Sequence, residues 1–181
     1  MPDYDHIPGL TLVTPPSIEP LSLSETKLYL RVSTTSEDSL ITGLITAARE
    51  IAESYTKRSF ITQTWMLSYD HFVPRKVFLP RGPVQSVTSV NIVHRDSSVQ
   101  SFTSYYVSAL GDVVVFDAIP LGHEIQVTYQ AGYGAAETNV PQPLLTGMLS
   151  HIADMYENRS MSVSLKDPIT ALYDQYKVMR I

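Results

Sequence analysis

The fold is decided by the stretch from Ser36 to Thr56, which reads SEDSLITGLITAAREIAESYT. Its apolar side chains recur every three to four residues, which is typical of one face of an amphipathic helix. That face comprises Leu40, Leu44, Ala47, Ala48, Ile51, Ala52 and Tyr55, and Ile41 and Ile45 widen it. Ser36 is the expected N-cap, and Glu37 and Asp38 follow in the first turn, where the helix dipole favours negative charge. The stretch predicts one long helix that needs partners on more than one side.

Composition limits both the size and the chemistry of the protein. A chain of 181 residues, 44% of them apolar, suits one domain or a domain carrying a sizeable insertion. The net charge of -5 argues against an electrostatic clamp on nucleic acid and against an anionic membrane surface. The lack of cysteine excludes disulfides, thiolate zinc sites and a cysteine nucleophile. Because no secretory leader pattern and no long apolar run occur, we expect a protein that is neither secreted nor membrane-spanning.

The N-terminal segment, residues 1–20, is rich in proline and predicts an extended arm, because proline removes backbone donors. Its apolar residues favour packing on the protein's own surface, with the surface of a neighbour as the alternative. After the arm, Ser22 and Glu25 have the spacing of a capping box. They predict a short helix that ends at about Arg31.

From Thr62 to about Tyr133 the apolar period changes to that of β-strands. The predicted strands cover residues 64–69, 77–79, 84–93, 105–107, 113–116 and 125–129. Turn signals separate them, such as Pro80-Arg-Gly-Pro83 and Gly111-Asp112. About six short strands with hairpin-length gaps predict a compact antiparallel module, and its nearly balanced charge favours an interaction or spacer role.

The C-terminal part returns to helical spacing. Pro141 and Pro143 mark the start of a second long helix, which ends near Asn158 and should pack against the first. Asp167 and Pro168 have the N-cap and N1 pattern that opens a last helix. The second helix carries the apolar stripe Leu144, Leu145, Met148, Leu149, Ile152, Ala153 and Tyr156.

Together these elements predict an α+β fold in which an antiparallel helical bundle carries an inserted antiparallel β module. The expected organisation is an extended N-terminal arm, a helical bundle built from two chain segments, a β module inserted between them, and a C-terminal tail. The boundaries are 1–20 for the arm, 21–61 and 135–176 for the bundle, 62–134 for the β module and 177–181 for the tail.

No catalytic motif is found, since the nucleophile elbow, the phosphate-binding loop, HExxH and the dinucleotide fingerprint are all missing from the sequence. The best metal-like spacing is His151, Asp154 and Glu157, three residues apart on one predicted helix. Such a polar stripe is usually the solvated face of an amphipathic helix. We therefore expect no catalytic residues, no metal and no cofactor.

Basic residues form only short clusters, among them Lys57-Arg58, and no aromatic residues are interleaved with them as in single-strand binding surfaces. Cations at the end of a helix are favoured by its dipole, which explains this pair without a ligand. Trp65, on the first predicted strand of the module, is expected to be a core residue.

Several blocks of sequence resemble, in the same order, the head-tail connector proteins of tailed phages and the adaptors of phage-like gene transfer agents. Together they span about residues 21–160, and the combination is more specific than any single block. The blocks are LSETKLYLRV at 23–32, AAREIAESYTKRSFITQTW at 47–65, LPRGPVQSVTSV at 79–90, YQAGYG at 129–134, Val140-Pro141 and YENR at 156–159.

The resemblance implies a non-enzymatic subunit of a ring, typically of twelve copies. The ring lies between the portal protein at the capsid vertex and the next component, a neck stopper or tail protein, and DNA passes through its lumen without specific recognition. It implies a place in the neck of a virion or phage-like particle that is assembled in the host bacterial cytoplasm. Such families contact the portal through C-terminal segments, which here contain Tyr173, Tyr176, Lys177, Val178, Met179, Arg180 and Ile181. Alternatively, the final helix folds back on the bundle.

Two other functions stay open. Another neck or tail-completion ring protein of a phage would share the ring and differ only in its neighbours. A small ligand-binding or metal-dependent enzyme domain, built for instance around His151, Asp154 and Glu157, would need a deep pocket that gathers titratable groups.

Overall fold

The computed structural model describes residues 8–70, 73–109, 111–158, 165 and 167–178. Within these residues the chain forms four α-helices and eight β-strands, so the fold class is α+β. Contacts divide the chain into two compact units. The helical unit comprises residues 16–61 and 133–181, and the β unit comprises residues 1–15 and 62–132. The predicted arm, residues 1–20, is therefore divided between the two units. Residues up to 15 belong to the β unit, and residues 16–20 belong to the helical unit.

All four described helices belong to the helical unit. They are α1 (Leu23–Leu30), α2 (Asp38–Thr56), α3 (Gln142–Asn158) and α4 (Asp167–Asp174). A short 3-10 turn, Glu137–Asn139, precedes α3. In the part of the chain described here, no helix is both long and apolar enough to cross a membrane.

The predicted capping box of α1 is confirmed on its N-cap side. The Ser22 side chain accepts a hydrogen bond from the backbone N–H of Glu25 at 3.2 Å, which satisfies one of the free donors of the first turn. The helix ends at Arg31, which adopts a left-handed conformation with φ 59° and donates its N–H to the Leu28 carbonyl. Both ends of α1 are therefore fixed by local hydrogen bonds.

The long helix α2 begins one residue later than expected. Ser36 was predicted as its N-cap and this is wrong, because Glu37 occupies that position without a side-chain cap. The Ser36 hydroxyl instead pairs with that of Thr34 at 3.1 Å. The buried stripe also differs, since Leu40 is 54% exposed. The fully buried apolar positions of α2 are Ile41, Ile45, Ala48 and Ala52.

The helices share one apolar core. From α3 it takes Leu144, Leu145, Met148, Ile152 and Met155, and α4 adds Ile169 and Tyr173. Of the residues predicted to join α2 and α3, Leu44, Tyr55 and Leu149 are half-buried against this core. Ile51 lies outside it and is half-buried. Ala48 and Ala52 of the predicted α2 stripe are buried in this core together with Ile41 and Ile45, so the buried face is centred towards the side that these two isoleucines were expected to widen.

The described residues of the β unit form two antiparallel sheets. The larger has the order β1-β2-β8-β4-β5, and the smaller has the order β3-β7-β6. An apolar cluster that includes Val77, Val114, Val127 and Tyr129 joins residues of both sheets in one core. The strands are β1 (Gly9–Thr14), β2 (Gln63–Asp70), β3 (Lys76–Phe78), β4 (Val84–Val93), β5 (Val99–Ser101), β6 (Tyr105–Val107), β7 (Val113–Phe116) and β8 (Glu124–Ala131).

Two of the described strands were not predicted. The three-residue β5 pairs with the end of β4, and its short polar sequence carries little strand signal. Strand β1 lies in the region expected to be an extended arm without regular hydrogen bonding, and it pairs antiparallel with β2 from Gly9 to Thr14. Pro8 and Pro15 bracket this strand and none of the prolines falls inside it. Its backbone donors are therefore free to pair.

Candidate functional site

The C-terminal residues expected to bind a partner begin in α4, where Tyr173 is fully buried in the core of the helical unit. Its ring lies against Gly147 of α3, where an added Cβ would come within 2.5 Å of the ring. It also contacts the Tyr55 ring of α2, with a centroid distance of 6.1 Å. Tyr173 is therefore a core residue that holds α4 in place.

The chain after α4 returns to the end of α2. The backbone N–H of Val178 donates to the Thr56 carbonyl at 3.0 Å. The Arg58 side chain donates from Nε to the carbonyl of Tyr176. These bonds satisfy polar groups at the C-terminus of a helix, where carbonyls lack partners within the helix. The predicted tail, 177–181, is thus attached at its first two residues, and Met179, Arg180 and Ile181 lie outside the described residues.

Tyr55 connects α2 with the same segment through both its hydroxyl and its ring. The hydroxyl donates to Asp174 Oδ1 at 2.6 Å, and this hydrogen bond is the main cause of a raised pKa for Tyr55. Lys177 Nζ lies 4.3 Å from the centroid of the ring, within cation–π range. The two contacts join the segment after α4 to a single side chain of α2.

A groove runs along α2 beside this segment, with a volume of about 620 Å³. Its lining combines apolar side chains with two lysines and one glutamate. The lining residues are Ala47, Glu50, Ile51, Ser54, Tyr55, Lys57, Leu165 and Lys177. We name this surface the α2 groove. An apolar side chain flanked by a carboxylate would find both apolar contact and cations there.

The most charged buried feature was not predicted. Arg49 of α2 is 7% exposed, and its guanidinium contacts Glu19 Oε2 at 2.8 Å and Glu53 Oε2 at 3.1 Å. The second oxygen of Glu53 accepts the backbone N–H of Phe60 at 2.7 Å. This cluster, which we call the Arg49 clamp, joins the segment before α1, the middle of α2 and the segment after it. The i,i+4 spacing of Arg49 and Glu53 was the signal in the sequence.

The pKa of Arg49 shows that the clamp compensates for burial. Desolvation lowers the pKa of the guanidinium, but the hydrogen bond to Glu19 and the charges of Glu53, Glu19 and Glu50 outweigh it. The net pKa lies above the usual value, so the cation is retained inside the unit. Removing one partner from such a buried pair is costly, because it leaves a charge inside the protein with less compensation.

The residues with metal-like spacing do not share one environment. His151 was expected on the solvated face of α3, and this is wrong, because it is 1% exposed. It follows Leu144 and Met148 at helical spacing and so falls on the core-facing stripe. Asp154 is half-buried and accepts the Asn158 side-chain amide at 2.7 Å, while Glu157 is exposed. Among the described residues, no group of three histidine or acidic side chains could hold a metal ion.

Trp65 was expected to be a core residue, and it packs half-buried against the core of the β unit. The guanidinium of Arg81 lies 5.3 Å from its ring centroid. Lys57 is the C-cap of α2, with φ 59°. The Arg81–Trp65 contact lies within the β unit and the Lys57 cap within the helical unit, so each has a local structural explanation.

The sequence matches the family described as "Head completion protein" over residues 19–146. No curated protein matches it. The matched range contains α1, α2, the strands β2 to β8 and the first part of α3.

The fold is similar to chains from three solved structures. One is described as "Neck of empty GTA particle computed with C6 symmetry", with TM-score 0.81, 22% identity and coverage of 96% of this chain and 97% of the other. The second, "Virion of native gene transfer agent (GTA) particle", has TM-score 0.81, 20% identity and coverage of 95% and 96%. The third, "Neck of native GTA particle computed with C12 symmetry", has TM-score 0.74, 20% identity and coverage of 96% and 97%. With the sequence match over most of its length, the chain belongs to the head completion protein family.

Proposed function

We propose that this chain is a structural, non-enzymatic head-tail connector subunit. Copies of it form a ring of twelve between the portal vertex and the next neck stopper or tail component, in the neck of a virion or phage-like particle assembled in the host bacterial cytoplasm. The observation that carries the proposal is the similarity of fold to a chain from the neck of a gene transfer agent particle, which covers 96% of this chain. The family match supports the same role.

Symmetry and charge support the ring and its passage for DNA. The related necks were computed with C6 and C12 symmetry, and both are compatible with twelve copies. The net charge of -5 per chain would give a ring of twelve about -60, which repels phosphate where it faces the lumen. DNA would then pass without being held.

The test of this role is the composition and structure of particles made without the chain. We expect cells that lack it to accumulate DNA-filled heads without tails, and the full-length chain supplied in trans to restore tailed particles. Cryo-electron microscopy of the restored particles should show density for this fold as a ring next to the portal. Tailed particles formed at the normal level without the chain would contradict the proposal.

We further propose that the portal protein contacts the C-terminal segment and the α2 groove. Tyr176 and Val178 are half-buried and Lys177 is exposed, so side-chain surface is available there. The groove beside them offers apolar surface and the cations Lys57 and Lys177. Met179, Arg180 and Ile181 continue the chain from this point, and their alternation of apolar and cationic side chains suits an acidic, grooved partner.

Two truncations separate docking from folding. Deletion of 179–181 retains the bond from Val178 to Thr56 and the stacking of Lys177 on Tyr55, so thermal unfolding should stay nearly unchanged while tail attachment is lost. Deletion of 177–181 removes those contacts as well and should lower the melting temperature by a few degrees. Normal numbers of tailed particles with the shorter deletion would assign portal docking to another part of the chain.

A further inference from the structure

Among the described residues, each unit exposes one leucine almost completely. Leu28 of α1 is 81% exposed, and Leu121, in the loop between β7 and β8, is 78% exposed. Single exposed apolar side chains are common on protein surfaces, so exposure alone carries no conclusion. Leu28 borders a pocket and Leu121 lies in a loop anchored at both ends, and these surroundings make the two leucines worth considering together.

Leu28 lies at a pocket on α1. The pocket has a volume of about 390 Å³ and is lined by Leu23, Ser24, Lys27, Leu28 and Val32. Arg31 follows the last turn of the same helix and is exposed. Among the described residues, its guanidinium has no ion-pair partner. The α1 pocket is therefore a mainly apolar depression, and the exposed Arg31 precedes one of its lining residues, Val32.

Leu121 projects from a loop that is anchored at both ends. The backbone N–H of Asp117 donates to the Ser104 carbonyl at 3.0 Å. At the other end, Gly122 packs so closely that an added Cβ would lie 2.3 Å from Ile92 Cγ2. Between these points Asp117, Ile119 and Leu121 are exposed, and the Asp117 carboxylate has no ion-pair partner within the described chain. The loop thus exposes an aliphatic side chain, Leu121, and, four residues before it, the Asp117 carboxylate.

We infer that the loop 117–121 of one copy docks in the α1 pocket of the next copy, with Leu121 in the pocket and Asp117 against Arg31. The two surfaces are complementary in apolar character and in charge, which is the pattern of a specific contact. Because the surfaces are different, the contact is head-to-tail and repeats from copy to copy, as ring closure requires. The inference rests on the proposed ring, and it identifies the residues that join its subunits.

The experiment uses the lack of cysteine in the chain, so unmodified copies of it give no thiol cross-links and the products are detected with an antibody against this chain. Arg31 and Asp117 are both replaced by cysteine, and purified particles that carry this variant are treated with a short bis-maleimide. We expect a ladder of covalent oligomers up to the full ring. The matched control is Arg31→Cys with Ser86→Cys, because Ser86 is exposed and pairs with Gln130, six residues along β8 from Glu124 or about 20 Å. It should give no ladder.

The outcomes are separable. A particle that contains the chain but gives no ladder overturns the inference and leaves the ring role standing. Tailed particles that form at the normal level without any of the chain overturn both. Dimers from Arg31→Cys alone would indicate a contact between identical surfaces and overturn the head-to-tail arrangement.

A charge exchange gives an independent measurement. Arg31→Asp or Asp117→Arg alone places like charges at every contact, so each should lower incorporation into particles at least tenfold. The double variant Arg31→Asp, Asp117→Arg restores opposite charges and should regain most of the incorporation. If the double variant incorporates no better than the single ones, the pairing of Arg31 with Asp117 is excluded.

Discussion

The two units of the molecule bury different kinds of side chain. Within the described residues, the buried charged groups Arg49 and Glu53 both lie in the helical unit, whereas the core of the β unit is apolar with a buried Gln63 at its edge. The helical unit is assembled from segments separated by the whole of residues 62–132. Apolar packing is not directional, so it does not by itself fix which segments meet. The Arg49 clamp acts within the first of these segments, where it fixes how residues 19 and 60 meet α2.

The largest expected effect comes from breaking the clamp. Glu53→Ala leaves the Phe60 N–H without its acceptor and removes one of the two carboxylates hydrogen-bonded to the buried Arg49, which keeps only Glu19, so the free energy of unfolding should fall by about 3 kcal/mol. Chemical denaturation monitored by circular dichroism measures it. The matched control is Glu50→Ala, because the Glu50 side chain is 66% exposed and lies 3.6 Å from Arg49, and it should change stability by less than about 0.5 kcal/mol. Equal losses of stability in the two variants would show that the Arg49 clamp does not stabilise the helical unit.

The next effect tests close packing within the helical unit. Gly147→Ala should destabilise by about 1 to 3 kcal/mol, although alanine is the better helix former, because the new Cβ overlaps the Tyr173 ring. The control is Gly43→Ala in α2, where no atom lies within 4 Å of the added Cβ, and it should stabilise by up to about 1 kcal/mol. Thermal unfolding of the two variants provides the comparison. A stabilising Gly147→Ala would show that α4 does not lie against α3 there.

The sequence predicted the helices and most strands because their apolar periods are local properties. It was less able to predict which face is buried, since successive helix residues differ by about 100°. A one-residue error therefore exchanges Leu40 for Ile41, and it placed His151 on the wrong side of α3. The burial of Arg49 depends on Glu19, which is distant in sequence, so local spacing alone could not predict it. Tyr173 was a candidate partner residue, but its position in the helical period of α4 suits a core residue as well as a partner-binding one.

A smaller effect concerns alkaline pH and affects both units. Burial raises the pKa of Tyr129 in the β unit, against the weaker opposing charge of Arg81, and burial also raises that of Tyr173 in the helical unit. A folded-state pKa above the unfolded value means that the stabilising contribution is complete below about pH 10 and is lost as the pH rises beyond it. Between pH 9 and 11 each tyrosine should therefore cost about 1 kcal/mol of stability. Denaturation series at these pH values measure how much the free energy of unfolding falls between pH 9 and 11. Replacing either tyrosine by phenylalanine should make that fall smaller by about 1 kcal/mol. An unchanged fall would contradict burial of the hydroxyl concerned.

The smallest effect compares the same two tyrosines at neutral pH. The Tyr129 hydroxyl donates to the Pro80 carbonyl at 2.8 Å, so Tyr129→Phe removes a hydrogen bond and should cost about 1 kcal/mol. The Tyr173 hydroxyl is buried without a hydrogen-bond partner among the described residues. Its removal leaves no group unsatisfied and releases a desolvated hydroxyl, so Tyr173→Phe should be neutral or slightly stabilising. Urea denaturation at pH 7 of the two single variants measures both changes. A loss at Tyr173→Phe as large as that at Tyr129→Phe would mean that the buried hydroxyl has an acceptor, and that the end of α4 is held by polar contacts as well as by apolar packing.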